Sequence, residues 1–492
     1  MARRKVRLNQ RPEKTYIAHG EFGLSFAQTS RKAAQTCAAI LRHTALAPGD
    51  RVAILLATPA PFILTLLALM RLRAVSVPLN RRLQPSELAW QVKNADCRLL
   101  ICEPKTRSLS VAVGVDVMEM PNIEREAPAS AYGDFGALNL EDDFAIIHTS
   151  GTSGRPKAAI LTYGNIYQSA VASALRLGTI QSERWLCVLP LYHVGGLSIV
   201  TRSLLYGTAV EVMPPGAFDA REVNRILSDH PITLVSLAPT MLQRLLDVKT
   251  RRWNPRLRLI LLGGEAPAAE LVERCIAEEL PIAASYGLTE TASQVATAMP
   301  ELVYRKPSTV GKALRFTRTR IVDESGGALG AHEPGEILVK GGVVTRGYYG
   351  EPEATRRALL GGWLHTGDIG YRDEDGDLFV LQRRADLIVS GGENIYPAEV
   401  ERVLRQHADV AQAIVFGLPD RKWGQCVAAL LECRAGAQAT PNEITDFARG
   451  QLASYKLPRQ IAFVEALPRT ASGKIQRRDA RQIFDDAISR QQ

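Results

Sequence analysis

Between Thr149 and Lys157 the chain reads TSGTSGRPK, hydroxyls and glycines in close alternation with a lysine at the far end. Glycine permits backbone angles that let successive N–H groups converge on one point, and small hydroxyls add donors without bulk. That chemistry suits phosphate oxygens. The loop is not of the G-x-x-x-x-G-K-[ST] kind, since that spacing is absent and Pro156 precedes the lysine. The acidic run Asp373, Glu374, Asp375 before Gly376 could suggest a metal site, but a hairpin turn explains it more simply.

Such a loop needs a rigid strand before it, and FAIIH (144–148) supplies one. From residue 143 to about 290, apolar runs of strand length (WLCVLP, ITLVSLAP, LRLILLGGE, PIAASYG) alternate with amphipathic stretches such as TMLQRLLDV and APAAELVERCIAEE. The pattern predicts parallel sheet covered by helices, with ligands at the loops after the strands' carboxyl ends. Beyond residue 300, short strands with Gly and Asp turns (RIVDESGGALG, GEILVKGG, GDLFVLQ) predict a small antiparallel, β-barrel-like unit. A compact α+β module then begins, and the boundary is placed at Arg383–Asp386, giving domains 1–383 and 384–492. The fold class expected is thus α/β, a large N-terminal domain of helix-covered, largely parallel sheets with a small C-terminal domain.

The 492 residues exceed the reach of one core, and 46% hydrophobic with 23% charged residues predicts a chain folded throughout. The net charge of +9 is scattered in Arg pairs and forms no basic stripe interleaved with aromatics, so small polyanions fit better than nucleic acid. Seven cysteines without a C-x-x-C argue against a disulfide framework or zinc site and point to a reducing cytoplasm. The basic start has no apolar segment behind it, so no secretory signal is expected. The long uncharged run Val52–Met70 is interrupted by Pro59 and Pro61, which predicts a buried strand followed by a helix and no integral membrane association.

Five ordered stretches carry a resemblance: TSGTSGRPK, SYGLTET (285–291), WLHTGD (363–368), RRADLIVSGGENIYPAEVE (383–401) and LPRTASGKIQR (467–477). They are similar to the signature motifs of the adenylate-forming superfamily of acyl-CoA synthetases, peptide-synthetase adenylation domains and luciferases. The likeness covers the chain from about Lys14 to Arg478. It implies a two-step reaction in which a small carboxylic acid attacks the α-phosphorus of ATP, releasing pyrophosphate, and coenzyme A then displaces AMP. Such chemistry needs positioning and charge neutralisation rather than a covalent nucleophile.

Carried over position by position, the resemblance implies that Thr149, Ser150, Gly151, Thr152, Ser153, Gly154 and Lys157 cover the β- and γ-phosphates. Gly264, Glu265 and Ala266 would follow the adenine edge, and Tyr286, with Gly287 next to it, would flank the base. Thr289 would meet the α-phosphate and Glu290 would ligate Mg²⁺, a hard cation suited to oxygen. Asp368 would accept the ribose hydroxyls with Arg383 nearby, and Lys474 would be the catalytic lysine of adenylation. Because Lys474 lies in the small domain, that domain must be mobile; its rotation would bring Gly391, Gly392 and Glu393 toward the pantetheine tunnel. The family's hinge is often Asp or Lys, and here the matching residue is Ala385.

The stretch LPLYHVGGLS lacks the acidic residue with which amino-acid-activating relatives hold an ammonium group, which disfavours an amino-acid substrate. His193 matches a pocket-lining His or aromatic residue of acyl- and aryl-CoA ligases, so the resemblance implies that His193 and the nearby Gly195 line the acyl pocket. Within the superfamily the likeness is greatest to the o-succinylbenzoate:CoA ligases of menaquinone and phylloquinone synthesis. Their substrate retains an aromatic carboxylate, and a buried anion needs a cation or several donors. Arg202, supported by Ser198 one helical turn earlier, is the candidate partner. Two alternatives are a fatty-acyl or aryl-CoA synthetase and a non-catalytic nucleotide-binding regulator. A carrier protein in place of coenzyme A, and a homo-oligomer, are also compatible with the sequence.

Overall fold

The computed structural model describes residues 12–19, 22–110, 113–120, 138–149, 156–213, 216, 218–264, 267, 269–382, 387–434, 437, 439–467 and 480–491. Their contacts divide into two compact units. One holds the elements from Thr15 to Gln382, apart from 82–88, 148–149 and 156–157, which cluster with the elements after residue 386.

The larger unit contains an eight-stranded sheet whose centre is parallel: Ile282–Leu288, Leu259–Leu262, Leu234–Leu237, Arg184–Cys187, Ala209–Val212 and Thr15–His19, in spatial order. The inner strands Ala209–Val212, Leu234–Leu237 and Leu259–Leu262 are buried at every position, which is why they read as largely apolar runs. Both edges depart from the parallel expectation. Ser293–Ala298 pairs antiparallel with Ile282–Leu288, and Phe22–Ser25 folds back on Thr15–His19. In each case the chain reverses directly, too soon for a crossover helix.

A six-stranded sheet orders Asp116–Glu119, Cys97–Cys102, Arg51–Leu55, Val75–Pro78, Asp143–Thr149 and Lys157–Thr162. The uncharged run resolves as the strand Arg51–Leu55 and the helix Pro59–Leu72, with proline in the first turn where its missing N–H costs nothing. Among the described residues no helix is long and apolar enough to cross a membrane.

The antiparallel unit is a five-stranded sheet: Thr317–Val322, Gly335–Gly341, Trp363–Arg372 and Leu359–Leu360, with Leu378–Gln382 also on Trp363–Arg372. The acidic run is indeed the turn between Trp363–Arg372 and Leu378–Gln382. Lys306 Nζ donates to Asp373, Asp375 and Asp377, standing where a bound cation would otherwise balance them.

The C-terminal unit is α+β. Ile388–Ser390, Glu393–Ile395, Gly424–Cys433, Val410–Asp420 and Gln460–Val464 form its sheet, accompanied by the helices Pro397–Leu404, Pro441–Arg449 and Ala480–Gln491.

Candidate active site

The strand Ile282–Leu288 ends in one turn of 3-10 helix, Thr289–Thr291, and the chain leaves through Ala292 and Ser293 at φ 50° and 95°. Left-handed backbone is unfavourable for both residues and persists only where surroundings fix it. Here Ser169 Oγ donates to Ala292 O at 2.7 Å. Gly287 is required sterically, because a Cβ on it would lie 1.8 Å from Ser293 O. Glu290 is 3% exposed, and its Oε1 accepts from the Tyr348 hydroxyl at 2.9 Å. The Glu290 carbonyl accepts from Thr345 N at 2.7 Å.

Tyr286 and Asp368, far apart in sequence, meet. The tyrosine hydroxyl donates to Asp368 Oδ2 at 2.6 Å, and both residues are buried. Asp368 N donates to Thr366 Oγ1 at 3.0 Å, and that hydroxyl donates to Ile337 O at 2.6 Å, so the carboxylate sits on a fixed backbone. Gly264 follows Leu259–Leu262 at φ 97°, a conformation that favours glycine. Thr149 closes the strand Asp143–Thr149 and Lys157 opens Lys157–Thr162; the Thr149 hydroxyl lies 3.4 Å from Lys157 O. Ser150, Gly151, Thr152, Ser153, Gly154, Glu265, Ala266, Arg383, Ala385 and Lys474 lie outside the described residues.

His193 is the N-cap residue of the helix Val194–Tyr206, its ring 4.6 Å from that of Tyr192. The glycines after it admit close packing: a Cβ on Gly195 would press Leu189 Cδ1 at 3.1 Å, and one on Gly196 would collide with Pro190 O at 2.3 Å. Arg202 is 2% exposed, which excludes a solvated helix face. Its Nη2 lies 3.4 Å from Ser169 Oγ, its guanidinium carbon is 5.9 Å from the Trp185 ring centre, and its Nε has no hydrogen-bond partner among the described residues. Burial lowers the arginine's pKa from its ordinary value. Ser198 does not support it as expected. Its hydroxyl turns back to Gly195 O at 2.9 Å, and Ser169 of the helix Tyr163–Leu177 takes that place.

In the C-terminal unit Gly391 and Gly392, at φ 58° and 83°, make the turn before Glu393, whose side chain is buried. Trp423 closes over this turn, leaving no room for a side chain at Gly391.

The sequence reading missed Tyr348, Thr345, Thr366 and Ser169. A Tyr in TRGYYG and a Ser in a helix carry no spacing signal; only the fold brings them to Glu290 and Arg202.

A family model described as AMP-binding enzyme matches residues 5–349, and one described as AMP-binding enzyme C-terminal domain matches residues 399–474. The chain belongs to the AMP-binding enzyme family. That bears out the resemblance and the fold class drawn from the motifs. Among its relatives in this family, a 2-succinylbenzoate–CoA ligase of Bacillus cereus (strain ATCC 10987 / NRS 248) is 40% identical over 478 residues, 96% of this chain and 97% of its own. A double mutant of o-succinylbenzoate CoA synthetase (MenE) from Bacillus subtilis, bound with its product analogue OSB-NCoA, matches with a TM-score of 0.90 and 35% identity, over 97% of this chain and 98% of that one. The same synthetase in complex with ATP and magnesium ion matches at 0.72 and 34% identity, over 96% and 98%.

Proposed function

We propose that this AMP-binding enzyme is an ATP-dependent 2-succinylbenzoate:CoA ligase of menaquinone or phylloquinone synthesis, acting in the cytoplasm. It joins the acid to AMP with release of pyrophosphate, then passes the acyl group to coenzyme A with release of AMP. The observation that carries this reading is the 40% identity, over 96% of the chain, to a ligase of that name.

The local chemistry supports it. Asp368 and Tyr286 form a buried acceptor and aromatic pair suited to a nucleoside, and Asp368 is proposed to hold the ribose hydroxyls. Glu290 offers a buried carboxylate oxygen, the ligand type a magnesium ion takes, beside Thr289, which is proposed to meet the α-phosphate. A magnesium ion bound there would neutralise charge on the phosphates. The loop from Thr149 to Lys157 would hold the β- and γ-phosphates and Lys474 would act in adenylation. Domain rotation would then exchange Lys474 for the Gly391–Glu393 turn. Arg202 supports the choice of acid. It is a buried cation with no ion pair among the described residues, and a substrate's second carboxylate would complete it.

Turnover read by pyrophosphate release, with o-succinylbenzoate, benzoate and medium-chain fatty acids, tests the proposal. The highest kcat/KM is expected with o-succinylbenzoate. A higher value with a fatty or simple aryl acid would move the assignment within the family, and absence of AMP formation with every acid would make the chain a nucleotide-binding regulator.

A further inference from the structure

We propose that Tyr348 is a positioning residue for the metal-binding carboxylate, an inference that rests on the reading of Glu290 as the magnesium ligand. A glutamate side chain has three rotatable bonds, and ordering them when a cation arrives costs roughly 1–2 kcal/mol if nothing holds them beforehand. Here the phenol holds Oε1 at 2.9 Å, and the phenol itself is fixed. Tyr348 is 5% exposed and packs with Ala159 and Ala354.

The backbone around it is fixed on two sides. Thr345 N donates to the Glu290 carbonyl at 2.7 Å, so the segment Thr345–Tyr349 grips the glutamate by main chain as well as side chain. On the other side Ile160 N donates to Gly347 O at 2.9 Å, Tyr349 N donates to Ala158 O at 2.8 Å, and Thr345 Oγ1 donates to Ile160 O at 2.5 Å. Those acceptors and donors belong to the strand Lys157–Thr162, which begins where the proposed phosphate loop ends. One short segment therefore sets the Glu290 carboxylate relative to the exit of that loop. Hydrogen-bond partners of a metal-binding carboxylate commonly govern affinity as strongly as this arrangement implies.

The test is direct metal binding by the full-length protein. Mn²⁺ is titrated by electron paramagnetic resonance in the presence of a non-hydrolysable ATP analogue, for the parent, Tyr348→Phe and Glu290→Gln. The Phe variant keeps the ring in its alanine niche. Its Mn²⁺ dissociation constant is expected to rise roughly tenfold. The Mg²⁺ concentration for half-maximal ATP–pyrophosphate exchange should rise in parallel, while analogue binding in EDTA stays as in the parent. Should Phe not fold, Tyr348→Leu removes the same hydroxyl. A Tyr348→Phe titration that superimposes on the parent's while Glu290→Gln is weakened overturns the proposal and leaves the role of Glu290 standing. If both variants superimpose on the parent, the Glu290 reading falls and takes this one with it. A lowered melting temperature with unchanged metal binding would make Tyr348 a packing residue only.

Discussion

At the scale of single residues, Arg202 presents the clearest imbalance. Burying a guanidinium without an acidic partner is costly, and Ser169 and the face of Trp185 offset only part of that cost. An anion brought by the substrate would restore the balance. Arg202→Met is therefore expected to lower kcat/KM for o-succinylbenzoate by about 10- to 100-fold, the range for a lost charge-assisted hydrogen bond, while benzoate turnover stays within about threefold. Because the variant also removes an unpaired charge, its melting temperature should hold or rise. Steady-state kinetics with the two acids, plus a thermal melt, checks this; equal loss on both acids would remove Arg202 from substrate selection. The cation itself was legible in the sequence, since its position after His193 pointed to it. Its surroundings were not, because Ser169 lies 33 positions away and Tyr348 lies 58 from Glu290, and no local periodicity encodes contacts of that range.

At the scale of elements, strands and helices with strong apolar periods were readable, and the glycines explain why certain turns could be placed. Gly287 marks a close backbone approach that tolerates no Cβ, and Pro59 marks a helix start. The antiparallel edge Ser293–Ala298 was not readable, since its turn uses Ala292 and Ser293 in left-handed backbone where glycine or asparagine would be the usual signal. The hairpin turn at Asp373–Asp377 shows the same limit. Its acidic residues are obvious, but the cation that pairs them comes from Lys306.

The hydrogen bonds that Lys306 donates to Asp373, Asp375 and Asp377 raise its pKa above the ordinary value. Asp373 is affected most by burial, which works upward, yet bonds from Lys306 and neighbouring backbone hold it below the usual carboxylate range. A carboxyl depressed in the folded state contributes stability that is present above its unfolded pKa and lost as pH falls through its folded value. Lys306→Met should thus lower the melting temperature at neutral pH, with the deficit shrinking as pH falls through the lowered folded-state pKa of Asp373. Melts of parent and variant across that window check it. A deficit constant with pH would assign Lys306 to packing.

At the scale of the whole molecule, all seven cysteines are free; six are buried and Cys433 is partly exposed. Burial pushes the thiols of Cys37, Cys97, Cys187 and Cys275 up to about 12. On the order of one in 10⁴ of those groups is thiolate at pH 8, so they are poor nucleophiles while the fold lasts. A thiol reagent should therefore titrate a single group, Cys433, within minutes on the native protein and seven in denaturant. Rapid modification of several thiols in the native state would show that the cores open far more often than this packing implies.

The place of the first strand in the large sheet bears on how the chain is made. Thr15–His19 leaves the ribosome well before its parallel neighbour Ala209–Val212, with which it pairs Ile17 opposite Val210. At about 5–20 residues per second, that neighbour is synthesised roughly 10–40 s later. Until then the hairpin formed with Phe22–Ser25 has one unpaired, largely apolar edge, the kind of surface that nascent chains lose to aggregation or shield with a chaperone. Yield of active enzyme in a cell should consequently depend on translation speed between these two strands, a sensitivity that the finished molecule, with both of them paired, no longer displays.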